Sequence, residues 1–200
     1  MFFEPGHHND VGLSHNPFKA LIMPRPIGWI STCDRQGRPN LAPYSFFNAV
    51  SDDPPLVMFS ASARETHTRK DTLVNVEATG EFVVNLATHS LATQVKATGA
   101  ALAPGEDEFA HAGLTQSPAE LVAAPRVAES PAHHECLLYR TIPMPAGADG
   151  RHCTLVIGRV VGFHIEAAMI SEGKVDVAAL QPLARLGYRE YASIFEAFEP

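Results

Sequence analysis

The 200-residue chain has few cysteines and no long apolar run. Its three cysteines, Cys33, Cys136 and Cys153, show no CxxC spacing, which argues against a disulfide framework and predicts free thiols in a reducing compartment. No stretch approaches the roughly 18 consecutive apolar residues of a membrane-spanning helix. The start, MFFEPGHHNDVG, lacks the basic and apolar regions of a secretory signal, so we expect a cytoplasmic protein.

Positive charge is also scarce, with 15 Lys and Arg against 22 Asp and Glu and a formal net charge of −7. This balance argues against a nucleic-acid-binding surface, which needs clustered cations. The sequence contains no Rossmann or Walker glycine pattern, no HExxH and no GxSxG. Ten histidines are present, but the adjacent pairs His7-His8 and His133-His134 point to opposite faces of a strand, so we predict no metal site.

Periodicity and turn residues predict a mainly β domain that spans residues 1–200. Six strands are expected, with two longer helices, one short helix near 107–112 and an irregular surface excursion over 103–132. Gly158 and Gly162 lie inside the last strand and predict the bulges that a closing barrel requires. Because the helices interrupt the strands without alternating with them, the pattern favours a small antiparallel barrel over a doubly wound sheet. The predicted strands cover 26–33, 40–51, 56–62, 80–87, 134–142 and 152–166, and the helices 69–79 and 89–102.

The predicted strand over 40–51 has no polar face. In the stretch LAPYSFFNAVSDDPP, residues 41–55, the two alternating sets of side chains each carry an aromatic residue and only one small polar residue. A half-solvated strand alternates apolar and polar side chains. The second face of this strand therefore covers something other than the core of its own barrel.

A basic and hydroxyl-rich cluster, SASARETHTRKDT, follows at residues 60–72. Arg64, Arg69 and Lys70 precede a predicted helix, where unpaired N–H groups and the helix dipole favour an anion. The hydroxyl groups of Ser60, Ser62, Thr66, Thr68 and Thr72 add neutral donors. The cluster fits a phosphate pocket. It is also compatible with a solvated helix start whose charges pair with Glu65 and Asp71.

The aromatic strand and the basic cluster are expected to be neighbours, because the next strand leads directly from one into the other. Together they suit a flat heteroaromatic ligand with a phosphorylated tail, which needs an apolar wall, a few amide or hydroxyl contacts and an anion site. The alternative is that Tyr44, Phe46 and Phe47 only fill a barrel and a subunit contact.

Two blocks, RPIGWISTCDRQGRPNLAPYSFFNAVSDDPPLVMFS and RKDTLVNVEATGEFVVNL, resemble the flavin reductase-like proteins of the FMN-binding split-barrel superfamily. The resemblance is densest over 24–88 and continues through 129–138, 155–165 and 180–191. It implies a six-stranded Greek-key split barrel with peripheral helices, which forms a homodimer with FMN, or FAD in its place, at the subunit interface. The tail of the chain, 174–200, would pack on the barrel or on the partner chain.

The resemblance also implies which residues hold the flavin. The ring would lie along Tyr44, Ser45, Phe46, Phe47 and Asn48, with Ser31 and Thr32 lining the pocket and Asn85 contacting or supporting it. The 60–72 segment would take the phosphate, through Ser60, Arg64, Arg69, Lys70 and Thr72. Where the family shows a Gly-Gly pair in its RLGG motif, this chain has Gly187-Tyr188, and Tyr188 could cover the flavin or fill the dimer contact.

The activity implied by the resemblance is hydride transfer from NAD(P)H to the flavin, with an electron acceptor or a monooxygenase partner downstream. In such proteins the cofactor supplies the reactivity, so no catalytic side chain is predicted. His133 and His134 either flank the nicotinamide or are ordinary surface residues. Two alternatives remain open: a non-enzymatic flavin carrier or electron-transfer flavoprotein, and a split-barrel relative that binds haem or no ligand.

Overall fold

A seven-stranded antiparallel sheet forms the centre of the computed structural model, which describes residues 1–63, 69–103 and 106–199. Short 3-10 turns lie at His8–Val11, Phe18–Ala20, His89–Leu91 and Ala167–Met169. The strands are β1 Arg25–Pro26, β2 Gly28–Cys33, β3 Pro39–Tyr44, β4 Phe47–Asp52, β5 Pro55–Ser62, β6 Glu81–Leu86, β7 Gln116–Ser117, β8 Arg126–Val127, β9 Ala132–Pro143, β10 Cys153–Ile165, β11 Ile170–Ser171, β12 Lys174–Val175, β13 Leu183–Arg185 and β14 Tyr191–Ser193. The helices are α1 Asp71–Thr79, α2 Ala92–Ala97, α3 Glu108–Ala112 and α4 Val177–Leu180.

The strand order in this sheet is β3-β2-β6-β9-β10-β5-β4, so the chain is a mainly β split barrel as expected. The prediction of a single strand over 40–51 was wrong, since β3 and β4 lie at opposite edges of the sheet. Tyr44 pairs with Gly28, whereas Phe47 pairs with Phe59. Because the sheet curls, the two residues between them cross from one edge to the other. We call this segment, Ser45-Phe46, the crossing.

The barrel interior is filled by aromatic and branched side chains. Phe59 is fully buried and lies 4.8 Å from the ring centroid of Tyr44 and 5.5 Å from that of Phe82. The predicted bulges in β10 are confirmed by register shifts at Ile157/Gly158 and Val160/Gly162. At Gly158 a Cβ would lie 2.2 Å from the Phe82 ring, so only glycine lets this strand approach the core so closely.

The outer face of β2 and β6 is covered rather than solvated. Trp29 and Leu41 pack there against Val95, Phe109 and Val127 from α2 and the segment 106–132. Expected as an irregular surface excursion, that segment contains α3, β7 and β8, and it contributes buried side chains to this second core. Asp107 caps α3 by accepting hydrogen bonds from two backbone N–H groups of its first turn.

The C-terminal segment packs on the barrel through β13, which pairs with both β1 and β14. Leu183 is buried, and its N–H donates to Ala87 O over 2.8 Å. Nearby, the Arg25 guanidinium donates to the carbonyl oxygens of Lys19, Ile22 and Leu186 at 2.5, 2.7 and 2.5 Å. These contacts tie the N-terminal segment to the C-terminal one. Among the described residues, none of the helices is long and apolar enough to span a bilayer.

Candidate functional site

A cavity of about 200 Å³ lies between the crossing and the end of β5. It brings together residues from four separate stretches of the chain. Its walls are Lys19, Pro43, Tyr44, Ser45, Phe46, Ser60, Ser62 and Lys70. The aromatic crossing and part of the predicted basic cluster therefore meet in space.

The alternation of β5 places its hydroxyl groups in this cavity. Phe59 and Ala61 point into the barrel core, so Ser60 and Ser62 point to the other face of the same strand. The Ser60 N–H donates to Phe46 O over 2.9 Å, which fixes the crossing against β5. Two hydroxyl donors thus stand beside an aromatic wall whose backbone is held in place.

Two lysines make the cavity cationic. Lys70 has extended backbone angles directly before α1, and Lys19 comes from the 3-10 turn ahead of β1. Both line the same cavity as Ser60 and Ser62. Ammonium groups with neutral hydroxyl donors near a helix start are the chemistry that binds a phosphate group.

Arg25 contacts the Phe46 ring of the crossing but does not line the cavity. Its guanidinium carbon lies 5.9 Å from the centroid of the Phe46 ring, and the side chain is only 4% exposed. Burial and the charge of Arg185 lower the pKa of Arg25. With three carbonyl oxygens as acceptors, this residue orders the aromatic wall and is not a ligand group of the cavity.

Ser31 and Asn85 lie away from the cavity, on the covered outer face of β2 and β6. Ser31 Oγ donates to Pro125 O, and Asn85 Nδ2 donates to Ser31 Oγ over 3.0 Å. Asn85 Oδ1 accepts from the Val127 N–H over 2.7 Å. Both side chains are fully buried. They hold the 106–132 segment on the barrel, and the structure does not bring them to the residues of the crossing.

Thr32 on β2 and Thr72 in the first turn of α1 are likewise buried, between the helix and the sheet. Thr32 Oγ1 accepts from Asn75 Nδ2 over 3.1 Å, and Thr72 Oγ1 accepts from Asn40 Nδ2 over 2.8 Å. The two hydroxyl groups join the helix to β2 and β3. Neither lines the cavity.

Of the remaining predicted residues, those that the structure describes do not line this cavity. Phe47 packs on the barrel core against Gly28, where a Cβ would come within 2.5 Å of its ring, and Asn48 is exposed on β4. Arg69 forms an ion pair with Glu77 of α1. Arg64 and Thr68 lie outside the described residues. Tyr188 lines a different cavity.

The two adjacent histidines are both withdrawn from solvent. His133 is 4% exposed, its Nε2 bonds Val127 O at 2.9 Å, and burial lowers its pKa to about 4. It is therefore not an ordinary surface residue. His134 lines an apolar cavity of about 240 Å³ with Phe47 and Phe163, and burial lowers its pKa also.

Lys19 was missed by sequence reasoning. It lies in an irregular stretch with no periodicity, far along the chain from the basic cluster, and only the contacts of Arg25 bring its backbone to the crossing. Within the described ranges, no three His, Cys, Asp or Glu side chains gather as a metal site.

The model of the protein family described as "Flavin reductase like domain" matches residues 20–185. The chain belongs to this family. A protein of Aquifex aeolicus is 38% identical to it over 177 residues, which cover 88% of this chain and 87% of that protein.

Two solved structures share this fold and also resemble the chain in sequence. Nitrilotriacetate monooxygenase component B from Bacillus cereus is 34% identical with a TM-score of 0.88, over 100% of this chain and 98% of that chain. The 2-nitrobenzoate 2-nitroreductase of Pseudomonas fluorescens is 28% identical with a TM-score of 0.80, over 92% of this chain and 87% of that chain. The protein is thus a flavin reductase-like split barrel.

Proposed function

We propose that this flavin reductase-like protein binds FMN and uses it to take a hydride from NAD(P)H. The observation that carries the proposal is the cavity where the crossing meets Ser60, Ser62, Lys19 and Lys70. An aromatic wall and an anion site at one place are what a phosphorylated flavin requires. Membership of the family makes a flavin the ligand to test first.

The residues present fit this cofactor. Lys19, Lys70 and the hydroxyl groups of Ser60 and Ser62 would hold the phosphate, while Tyr44, Ser45 and Phe46 would wall the ring, with backbone N–H groups of the 45–48 segment as donors to its carbonyl oxygens. Bound FMN would supply reversible two-electron chemistry, which none of these side chains provides. The protein's own part is to orient the ring, to neutralise the phosphate and to keep the crossing rigid through Arg25.

Three further features of the proposal concern the surroundings of the site. On β4, the strand that follows the crossing, Asn48 and Val50 are exposed, and a second copy of the chain would cover this strand. The name of the Bacillus cereus relative, a monooxygenase component, supports an electron-accepting partner protein.

Two buried thiols and one half-buried thiol, all free, support a reducing, cytoplasmic location.

The test is the absorbance spectrum of the purified protein with FMN, followed during anaerobic titration with NADH and, separately, with NADPH. We expect the flavin absorbance to bleach at a catalytic rate with at least one of the two nucleotides. Dithionite serves as the control that reports total reducible flavin. Bleaching by dithionite alone would indicate a flavin carrier, and a haem spectrum in place of a flavin spectrum would contradict the proposal altogether.

A further inference from the structure

The apolar cavity that contains His134 is separate from the proposed flavin site. We call it the His134 cavity, and its volume is about 240 Å³. It lies where the start of β9 and the end of β10 meet the segment 175–183. Among the described residues, none lines both this cavity and the proposed flavin cavity. Most of its wall is apolar and includes Phe47, Val84, Leu86, Phe163, Ile165 and Leu183.

Backbone hydrogen bonds fix the C-terminal wall of the His134 cavity, which is the segment 175–183. The Leu183 N–H donates to Ala87 O over 2.8 Å, and the His89 N–H donates to Gln181 O over 2.9 Å. Because these bonds hold the segment against the end of β6, the cavity exists before a ligand enters it. Binding there would not carry the entropy cost of ordering a loop.

Three polar side chains belong to the described lining of the cavity, and two of them already have partners. The Asn85 amide bonds backbone groups and Ser31 Oγ, while His164 Nε2 lies 2.5 Å from Glu135 Oε1. Nδ1 of His134 is buried and has no hydrogen-bond partner. Leaving a buried polar atom unpaired is unfavourable, so this nitrogen points to a missing ligand group.

His134 is a neutral hydrogen-bonding group. Burial lowers the pKa of His134, so the ring is uncharged at neutral pH. One nitrogen of a neutral imidazole donates and the other accepts. Its ring contacts the Phe163 ring edge-on, with centroids 5.2 Å apart and an interplanar angle of 81°. A ligand that both donates and accepts can therefore bond His134 in either tautomer, beside an aromatic wall.

The volume and the lining limit the ligand to one small ring. An apolar cavity of about 150 Å³ is enough for benzene, so this one leaves room for a ring with a short substituent. No Lys, Arg, Asp or Glu stands among the described lining residues, so a phosphate or carboxylate would be buried without a counter-charge. A carboxamide brings more donors and acceptors than one imidazole can satisfy.

We propose that the His134 cavity binds a small phenol, with the ring against Phe47 and Phe163 and the hydroxyl group on His134. A hydroxyl group both donates and accepts, and a single ring fits the volume. Aromatic side chains on the wall add favourable ring contacts. The proposal goes beyond the proposed function and does not rest on it, because no flavin or nicotinamide group enters the argument.

The test measures the binding of phenol and of toluene by calorimetry, in the FMN-loaded wild type and in His134→Leu. Both compounds have seven heavy atoms, but only phenol has a hydroxyl group. We expect both to bind the wild type. His134→Leu should weaken phenol binding by about 2- to 12-fold relative to toluene binding, since one neutral hydrogen bond is lost. The ratio reports the hydrogen bond, because a change in cavity shape affects both compounds.

A second variant tests the location. Ala132 lines the cavity on the same face of β9 as His134, so Ala132→Leu should weaken the binding of both compounds by about 10-fold through lost space. Ala192→Leu is the matched control. Ala192 is also a half-buried strand residue, on β14, but it does not line the cavity, so both affinities should stay unchanged.

The proposal is overturned if phenol does not bind the wild type, or if His134→Leu weakens phenol and toluene binding equally. Unchanged binding in Ala132→Leu, or tighter binding of nicotinamide than of phenol, would also contradict it. If FMN displaces phenol from the FMN-free protein, phenol occupies the flavin cavity and the assignment is wrong. If the protein binds phenol through His134 but does not bind FMN, the proposed function fails and the cavity assignment stands.

Discussion

Two sets of small polar side chains lie on the same barrel in opposite environments, one buried and one lining a cavity. Ser31 and Asn85, on β2 and β6, are fully buried and hydrogen-bonded to the 106–132 segment. Ser60 and Ser62, on β5, line an open cavity next to two lysines. Nothing in the residue types separates the two sets, and both were expected to contact a flavin. What separates them is whether another part of the chain covers that face of the sheet.

The difference shows how to tell a structural polar residue from a ligand-binding one. A buried amide that exchanges hydrogen bonds with backbone groups is required for stability, because leaving its partners unpaired is costly. A half-exposed hydroxyl at a concave, cationic place contributes little to stability and can serve a ligand. The comparison predicts that substitutions in the two sets affect different measurements.

The largest effect is expected on the covered face. Asn85→Leu should lower the free energy of unfolding by about 3–4 kcal/mol, because the Val127 N–H loses its buried acceptor and the loop over β6 loses its anchor. Urea denaturation followed by fluorescence measures the change.

Ser62→Ala is the matched control on the open face, and its stability should stay within about 0.5 kcal/mol of the wild type. An Asn85→Leu protein as stable as the wild type would contradict the structural role of the amide. An Asn85→Leu protein that folds with full stability and loses FMN would return Asn85 to the flavin site.

The second effect is expected on ligand affinity at the open face. Replacing Lys19 and Lys70 together by alanine should weaken FMN binding by about 2–3 kcal/mol, since two charge-assisted contacts to a phosphate are removed. Fluorescence quenching of free FMN gives the dissociation constants, and the loss should shrink at high salt.

Arg69→Ala is the control for charge alone. Arg69 is paired with Glu77, so its removal should weaken FMN binding by less than about 1 kcal/mol. If Arg69→Ala lost more FMN affinity than the double lysine variant, the phosphate would be assigned to the residues that follow β5 and not to the two lysines.

The smallest expected effect is a pH dependence of stability, caused by a histidine that the 106–132 segment also covers. Burial lowers the pKa of His133 to about 4 from 6.5, so the unfolded chain takes up a proton at a pH where the folded chain does not. Stability gained from this residue is complete above pH 6.5 and falls as the pH drops toward 4, by about 2 kcal/mol between pH 7.5 and 5.

His133→Gln removes this titrating group, and its side-chain amide can still donate to Val127 O. Thermal unfolding between pH 7.5 and 5 should therefore show a shallower pH dependence in the variant than in the wild type. Identical pH profiles would mean that His133 is not held neutral under the 106–132 segment.

Much of the fold followed from local patterns. Turn residues and β-branched runs located β2, β5 and β6, and the two glycines in β10 marked its bulges, because local sterics decide these features. The split between β3 and β4 could not be predicted in this way. The residues around Ser45 and Phe46 have strand-like character throughout, and only the curl of the whole sheet forces the chain to change edges there.

The site was predicted in part for the same reason. Tyr44, Phe46, Ser60, Ser62 and Lys70 meet because one hairpin leads directly from the crossing to the helix start. Lys19 joins them from the N-terminal segment, and no local pattern predicts a contact between such distant stretches of the chain.

By itself, the sequence determined a mainly β barrel and placed an aromatic stretch beside a basic one, since alternation, turn chemistry and helix starts depend on neighbouring residues. The family was indicated by the resemblance of two sequence blocks to flavin reductase-like proteins and by no local pattern. Only the tertiary structure decided which polar groups are covered and which remain open to a ligand. Burial depends on segments that are distant in the chain but packed together in space, and the covering of Asn85 by the 106–132 segment is the clearest instance here.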